Sequence, residues 1–243
     1  MVTEEGRRCV FCGGTPVTRE HIWPLWALRA IGVPRGVTVV RDSTREERRR
    51  EQWQGSGEMT ARCVCHGCNN GWMAELEREA SRILTPLVAD SKATVTLGPE
   101  EQAVVATWIF KTTLILQFAH SFNRFIPDEN YAWLYRERAP IPDTHAWIGA
   151  YELRTHPVSD STVPIYELGG YRSTVSVGAF VYQLIAFPGA GFIPIDPPDD
   201  IAPFMTRLLP ATDEEIPWPA GRVMTDDDLH RISRLRADAW KTQ

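Results

Sequence analysis

Cys9-Val-Phe-Cys12 and Cys65-His-Gly-Cys68 are two C-x-x-C turns, and their pairing decides how the first third of the chain is read. Each turn aims two thiolates at one point, and two turns complete a tetrahedral site of the kind that holds a structural zinc ion. Gly13 and Gly14 follow the first pair, where a sharp knuckle needs backbone angles that glycine adopts freely. A redox-active thiol pair is the alternative reading, and the presence of two pairs counts against it. Cys63 lies outside the paired spacing and is expected to fill a strand face; His66, inside the second turn, is expected to point outward. Between Cys12 and Cys65 stand residues 13 to 64, 52 in all, far more than separate the halves of a DNA-reading finger. Zinc is therefore expected to staple the ends of a larger motif, with the chemistry in or beside that gap.

Thr18 to Ile22 has the composition of a short strand, Trp26 to Ile31 that of a short helix closed by Gly32 and Pro34, and Val37 to Val40 that of a second strand. Residues 44 to 52 mix Arg and Glu at helical spacing, with Glu46 four before Arg50. Such a run reads first as a solvated face and second as a DNA-contacting surface. Met59 to Val64 is extended again. After Cys68, the positions Trp72, Met73, Leu76, Ala80, Ile83 and Leu84 keep a helical period. The order is strand, insertion, strand, helix. At these spacings Trp23, Trp26 and Trp72 are expected in the core rather than stacked on bases, and Glu75 and Glu77 are expected as helix-surface charges.

Taken together, Thr18-Arg19-Glu20-His21-Ile22-Trp23-Pro24 and Cys65-His-Gly-Cys68-Asn69-Asn70-Gly71-Trp72-Met73 resemble the HNH, or ββα-metal, endonucleases that carry a zinc knuckle. Those proteins show C-x-x-C, then an acidic-His-Ile-x-Pro segment, then C-x-x-C-Asn opening a helix. The resemblance covers about the first third of the chain. It implies that His21 ends the first strand and takes a proton from the water that attacks the scissile phosphate. It also implies that Glu20 and Asn69 hold a divalent ion, expected to be Mg²⁺, with Asn70 able to take the place of Asn69. Phosphodiester hydrolysis needs a base and a cation; imidazole as a side-chain type titrates near neutrality, and a hard ion suits oxygen ligands.

Neighbouring strand residues point to opposite faces, so Glu20 and His21 meet one phosphate only if the strand ends or bends there. Pro24 is consistent with such an ending. Asn69 can also serve as the N-cap of the following helix. Members of the family usually carry an Asn between the two halves that braces the loop bearing the His. No Asn occurs between His21 and Asn69, and Asp42 is the candidate brace; Glu20 stands where Asp is common.

Beyond Pro86 the character changes. Thr94 to Leu97, Ala146 to Leu153, Val163 to Leu168 and Ser173 to Phe187 have strand composition. Pro99 to about Ala119, Pro127 to Arg138 and a last segment capped by Thr225 read as helices. The expected fold is α+β: a zinc-stapled ββα-metal nuclease domain over residues 1–84, followed by a mixed α+β domain over 85–243 of unassigned role. Lys111, inside an apolar helix, is expected to extend its charge to the surface, and His120, His145 and His156 carry no recognisable chemistry.

The whole chain has a formal charge of −5, which by itself argues against a phosphate-rich partner. Residues 1–83, however, hold 13 Arg, no Lys and 11 acidic residues, a balance of +2, which leaves −7 for the rest. The cationic part is the part with the cysteines, and arginine's planar fork suits phosphate oxygens. DNA is the expected partner; nothing in these residues reads a 2′-hydroxyl, so RNA stays open. A zinc module that binds nucleic acid or protein without cutting is the second reading. The stretch Ala103 to Ala119 falls short of a membrane span, Met1 to Glu5 does not resemble a secretory signal, and five cysteines fit metal better than disulfides. The expectation is a cytoplasmic protein.

Overall fold

In the first third of the chain, two strands far apart in sequence pair directly. The computed structural model describes residues 7–32, 39–40, 52–53, 59–119, 124–152, 157–190, 193–212, 214–219, 221–235 and 241–242. Asp42, the Arg and Glu positions of the 44 to 52 run, His120 and His156 lie outside them. The elements are β1 (Val17–His21), α1 (Leu25–Ala30), β2 (Val39–Val40), β3 (Gln52–Trp53), β4 (Thr60–Cys65), α2 (His66–Cys68) and a π-type turn (Asn69–Met73). They continue with α3 (Ala74–Ala89), β5 (Val95–Leu97), α4 (Pro99–Leu116), α5 (Asp128–Glu137), β6 (Thr144–Ala150), β7 (Val158–Ile165), β8 (Gly170–Val177) and β9 (Phe180–Ala186). The last are β10 (Ile195–Asp196), β11 (Thr206–Leu209), β12 (Ile216–Trp218), α6 (Asp226–Ser233) and β13 (Lys241–Thr242). The fold is α+β.

β1 pairs antiparallel with β4, from Val17 opposite Cys65 to His21 opposite Thr60, and the register shifts so that Cys63 is an extra residue on β4. A bulge of this kind bends the strand that carries it. The insertion between the two strands contains α1 and the short β2–β3 pair. From Cys65 the chain turns directly into helix. Gly71, at φ −94° and ψ −118°, breaks the helical path between α2 and α3. The strand, insertion, strand, helix order of the sequence is therefore the order in space.

The rest is built on a five-stranded antiparallel sheet in the order β11-β6-β9-β8-β7. β9 shows how its two faces divide, because side chains alternate along a strand. Phe180, Tyr182, Leu184 and Ala186 join the core formed with α3 and α4, while Val181 and Ile185 join a second cluster with Leu229 and Ile232 of α6. α4 is apolar nearly all round and is buried along most of its length, as such a helix must be. α6 opens on a reciprocal capping box between Thr225 and Asp228, which satisfies two otherwise orphaned donors.

One expectation is corrected by the sheet. Ser173 to Phe187, read as one extended run, is a hairpin that turns at Gly178-Ala179. Gly178 has φ +58°, and a Cβ there would lie 2.2 Å from the Val88 carbonyl oxygen. Residue 84 lies within α3, and Leu84, Leu87 and Val88 sit in a single core with residues from Cys9 to Trp218. Packing is thus continuous from the β1–β4 pair and α3 into the sheet. No helix among the described residues is long and apolar enough to cross a membrane.

Candidate functional site

The four paired cysteines converge. The Sγ atoms of Cys9, Cys12, Cys65 and Cys68 all lie within 4.8 Å of one another, and Cys12 Sγ is 3.5 Å from Cys65 Sγ. A tetrahedral thiolate site with metal–sulfur bonds of about 2.3 Å puts its sulfurs about 3.8 Å apart. The cluster could therefore hold a metal ion. None of the five cysteines is in a disulfide.

The first knuckle is shaped by its backbone: the Gly13 N–H donates to Cys9 O at 2.8 Å and the Cys9 N–H to Gly14 O at 2.9 Å, with Gly13 at φ +71°. The Val10 N–H donates to the carbonyl of the bulged Cys63 at 2.9 Å, which docks the knuckle on β4. The Gly14 N–H points at Cys12 Sγ at 3.4 Å. Burial works to raise the Cys65 thiol, but bonds from the Cys68 backbone and from Cys12, Cys9 and Cys68 outweigh it and bring Cys65 down to about 7. Cys63, buried and outside the cluster, is pushed up to about 12 by burial and then by the nearby Glu20 and Cys9. His66 is exposed. Both Cys63 and His66 are placed as the spacing predicts.

Asn69 is not an N-cap. The helix has already begun at His66, and Asn69 adopts helical angles with no capping bond. Its side chain crosses to β1 instead, where Nδ2 donates to Thr18 Oγ1 and to the Arg19 carbonyl, each at 3.1 Å. Asn70 is exposed. His21 is half-buried at the last position of β1, and the Ile22 N–H donates to Met59 O at 2.8 Å before Pro24 leads into α1. β1 ends at His21.

Glu20 faces inward. Its side chain is 10% exposed, and Lys111 Nζ, from α4, lies 3.8 Å from Oε1. Lys111 corrects the expectation that its charge reaches the surface: the side chain is 2% exposed and donates to Glu77 Oε1 at 2.5 Å. Glu77 likewise is more than a surface charge. It also accepts from the indole of Trp26 at 2.7 Å and from that of Trp108 at 3.1 Å. Burial raises the Glu20 carboxyl above its ordinary value against the lowering effect of Lys111. Burial would lower Lys111, but Glu77 and Glu20 together outweigh it and raise it. Both values rise, which favours the neutral form of Glu20 and the charged form of Lys111, because Glu20 sees one cation at a distance while the ammonium sees two carboxylates, one in contact.

Sequence reasoning missed Lys111, Glu77 and Trp108 as a group. The available signal was a lysine inside a helix apolar on every side, which leaves its ammonium no short route to water. Trp23 is buried, and Trp26 and Trp72 are half-buried against the core, as their spacing predicts. No family model, curated protein or solved structure matches the chain. The functional reading therefore rests on the chemistry of these residues.

Proposed function

We propose that the chain is a metal-dependent endonuclease of the HNH type that hydrolyses phosphodiester bonds in DNA with water activated by His21. One observation carries this reading. Asn69, which follows the second C-x-x-C, is bonded directly to the strand that ends in His21, so strand, strand and helix close on one another beside the cysteine cluster.

Zinc is the ion that four thiolates at this spacing suit, and its role is structural because the four sulfurs leave no open position. For the second ion, the donors are of the kind a hard cation takes. Glu20 offers a carboxylate that no hydrogen-bond donor reaches among the described residues, its charged neighbour being Lys111 at 3.8 Å. Asn69 commits its nitrogen to β1 and not its oxygen. A divalent ion there would neutralise charge on the phosphate and on the departing oxygen. The chain's own part is proton transfer: the His21 imidazole takes the proton as water oxygen bonds to phosphorus and the bond to the 3′ oxygen breaks.

A second reading, a zinc module that binds nucleic acid or a protein without cutting, is favoured by the inward turn of Glu20 toward Lys111. Incubating supercoiled plasmid with the zinc-loaded chain separates the two. Nicking or linearisation that needs Mg²⁺ and stops with EDTA supports the nuclease; retarded migration of intact plasmid, unaffected by Mg²⁺, supports the binding module.

A further inference from the structure

His21 is flanked by two attachments that lead to the same pair of charged groups. On its N-terminal side Glu20 faces Lys111 at 3.8 Å. On its C-terminal side α1 is tied by the Trp26 indole to Glu77 at 2.7 Å. Lys111 and Glu77 are themselves joined at 2.5 Å, and the Trp108 indole donates to the same Glu77 oxygen as Lys111. A carboxylate that accepts three N–H donors from two helices has little freedom, and charge-assisted bonds are the stronger kind. The ammonium is therefore a fixed post, and both flanks of the histidine are referred to it.

We propose that Lys111, through Glu77 and Glu20, is a positioning residue that fixes the segment carrying His21. The proposal rests on the reading of His21 as the base. It also explains how the chain works without an Asn between His21 and Asn69 to brace that segment: the brace comes from α3 and α4. Lys111 is 2% exposed, so it cannot grip a phosphate, and its effect falls on the geometry of the reaction rather than on DNA binding. A small displacement of a base from its productive position costs on the order of 10- to 100-fold in rate.

The test uses the full, zinc-loaded chain with Lys111→Met and, separately, Glu77→Gln, which keeps the side chain's size but removes the charge that pins Lys111. Amide hydrogen exchange is compared at residues 19–26 and in β8 and β9, and plasmid cleavage is resolved into kcat and KM. The expected result is exchange at least about 10-fold faster at 19–26 with β8 and β9 unchanged, and kcat lowered on the order of 10- to 100-fold at unaltered KM. Unchanged protection at 19–26, or loosening that extends equally to β8 and β9, overturns the proposal. If Lys111→Met does not fold, Glu77→Gln decides by the same criterion; unfolding of both counts as general loosening. A parent chain that cuts no DNA defeats the nuclease reading, and the exchange pattern then judges the brace by itself.

Discussion

Asn69 donates its side-chain amide to the main-chain carbonyl of Arg19 across 3.1 Å, joining the start of the helix to the strand that ends in His21. The two residues are 50 apart in sequence. The bond makes the position of His21 depend on the geometry of the second C-x-x-C turn, so the cysteine staple and the proposed base form one unit.

Replacing Asn69 tests that dependence. Asn69→Ala removes two partly exposed hydrogen bonds and is expected to cost about 1 kcal/mol of stability, measured by urea unfolding. Asn69→Asp loses the same donors but keeps an oxygen. It is expected to be destabilised similarly while retaining the Mg²⁺-dependent cleavage that Asn69→Ala loses.

The cysteine cluster gives a stoichiometric prediction. Elemental analysis of the purified chain is expected to find one zinc per molecule, and Cys68→Ser to lower that loading and the melting temperature together, since binding energy at such a site is folding energy. Protons compete with the ion for thiolates, so loading should fall as the pH is lowered. Less than half an equivalent of zinc per chain in the parent protein would remove the staple from the account.

Gly178 turns the β8–β9 hairpin at φ +58° with the Val88 carbonyl oxygen 2.2 Å from where a Cβ would stand. The left-handed conformation alone costs a residue with a Cβ roughly 1 to 2 kcal/mol, and the clash is with backbone. Gly178→Ala is therefore expected to lower stability by more than about 2 kcal/mol, read as a shift in the urea midpoint.

Local pattern and spacing make some of this legible in the sequence. Cys9, Cys12, Cys65 and Cys68 could be paired because C-x-x-C geometry is set within four residues. The helix after Cys68 follows from its period, and α6 from Thr225 and its acidic first turn. What escaped was non-local. Lys111 is held inside by Glu77 and Glu20, 34 and 91 positions away, and no helical period reports such partners. Asn69 looked like a cap because Asn favours caps, but a turn that already follows helical angles left its side chain to find β1. The Ser173 to Phe187 run hid a hairpin because both of its strands are buried throughout, so neither shows alternation.

His145, buried on β6 and stacked on Trp147, supplies a pH dependence. Burial lowers it below its ordinary value of 6.5, and the nearby Arg207 lowers it further. A group whose folded-state value is depressed contributes stability that is complete above the unfolded value and is lost progressively as the pH falls from there through the folded value. His145→Phe is accordingly expected to flatten the decline in stability as the pH falls below about 6.5. An unchanged slope would show that His145 does not drive it.

The most direct test of the nuclease reading is the rate of Mg²⁺-dependent plasmid cleavage by zinc-loaded His21→Ala beside that of the parent chain. Loss of a positioned general base is expected to slow cleavage by about 10²- to 10⁴-fold, with the zinc content and melting temperature unchanged. Cleavage by His21→Ala at the parent rate would contradict the account.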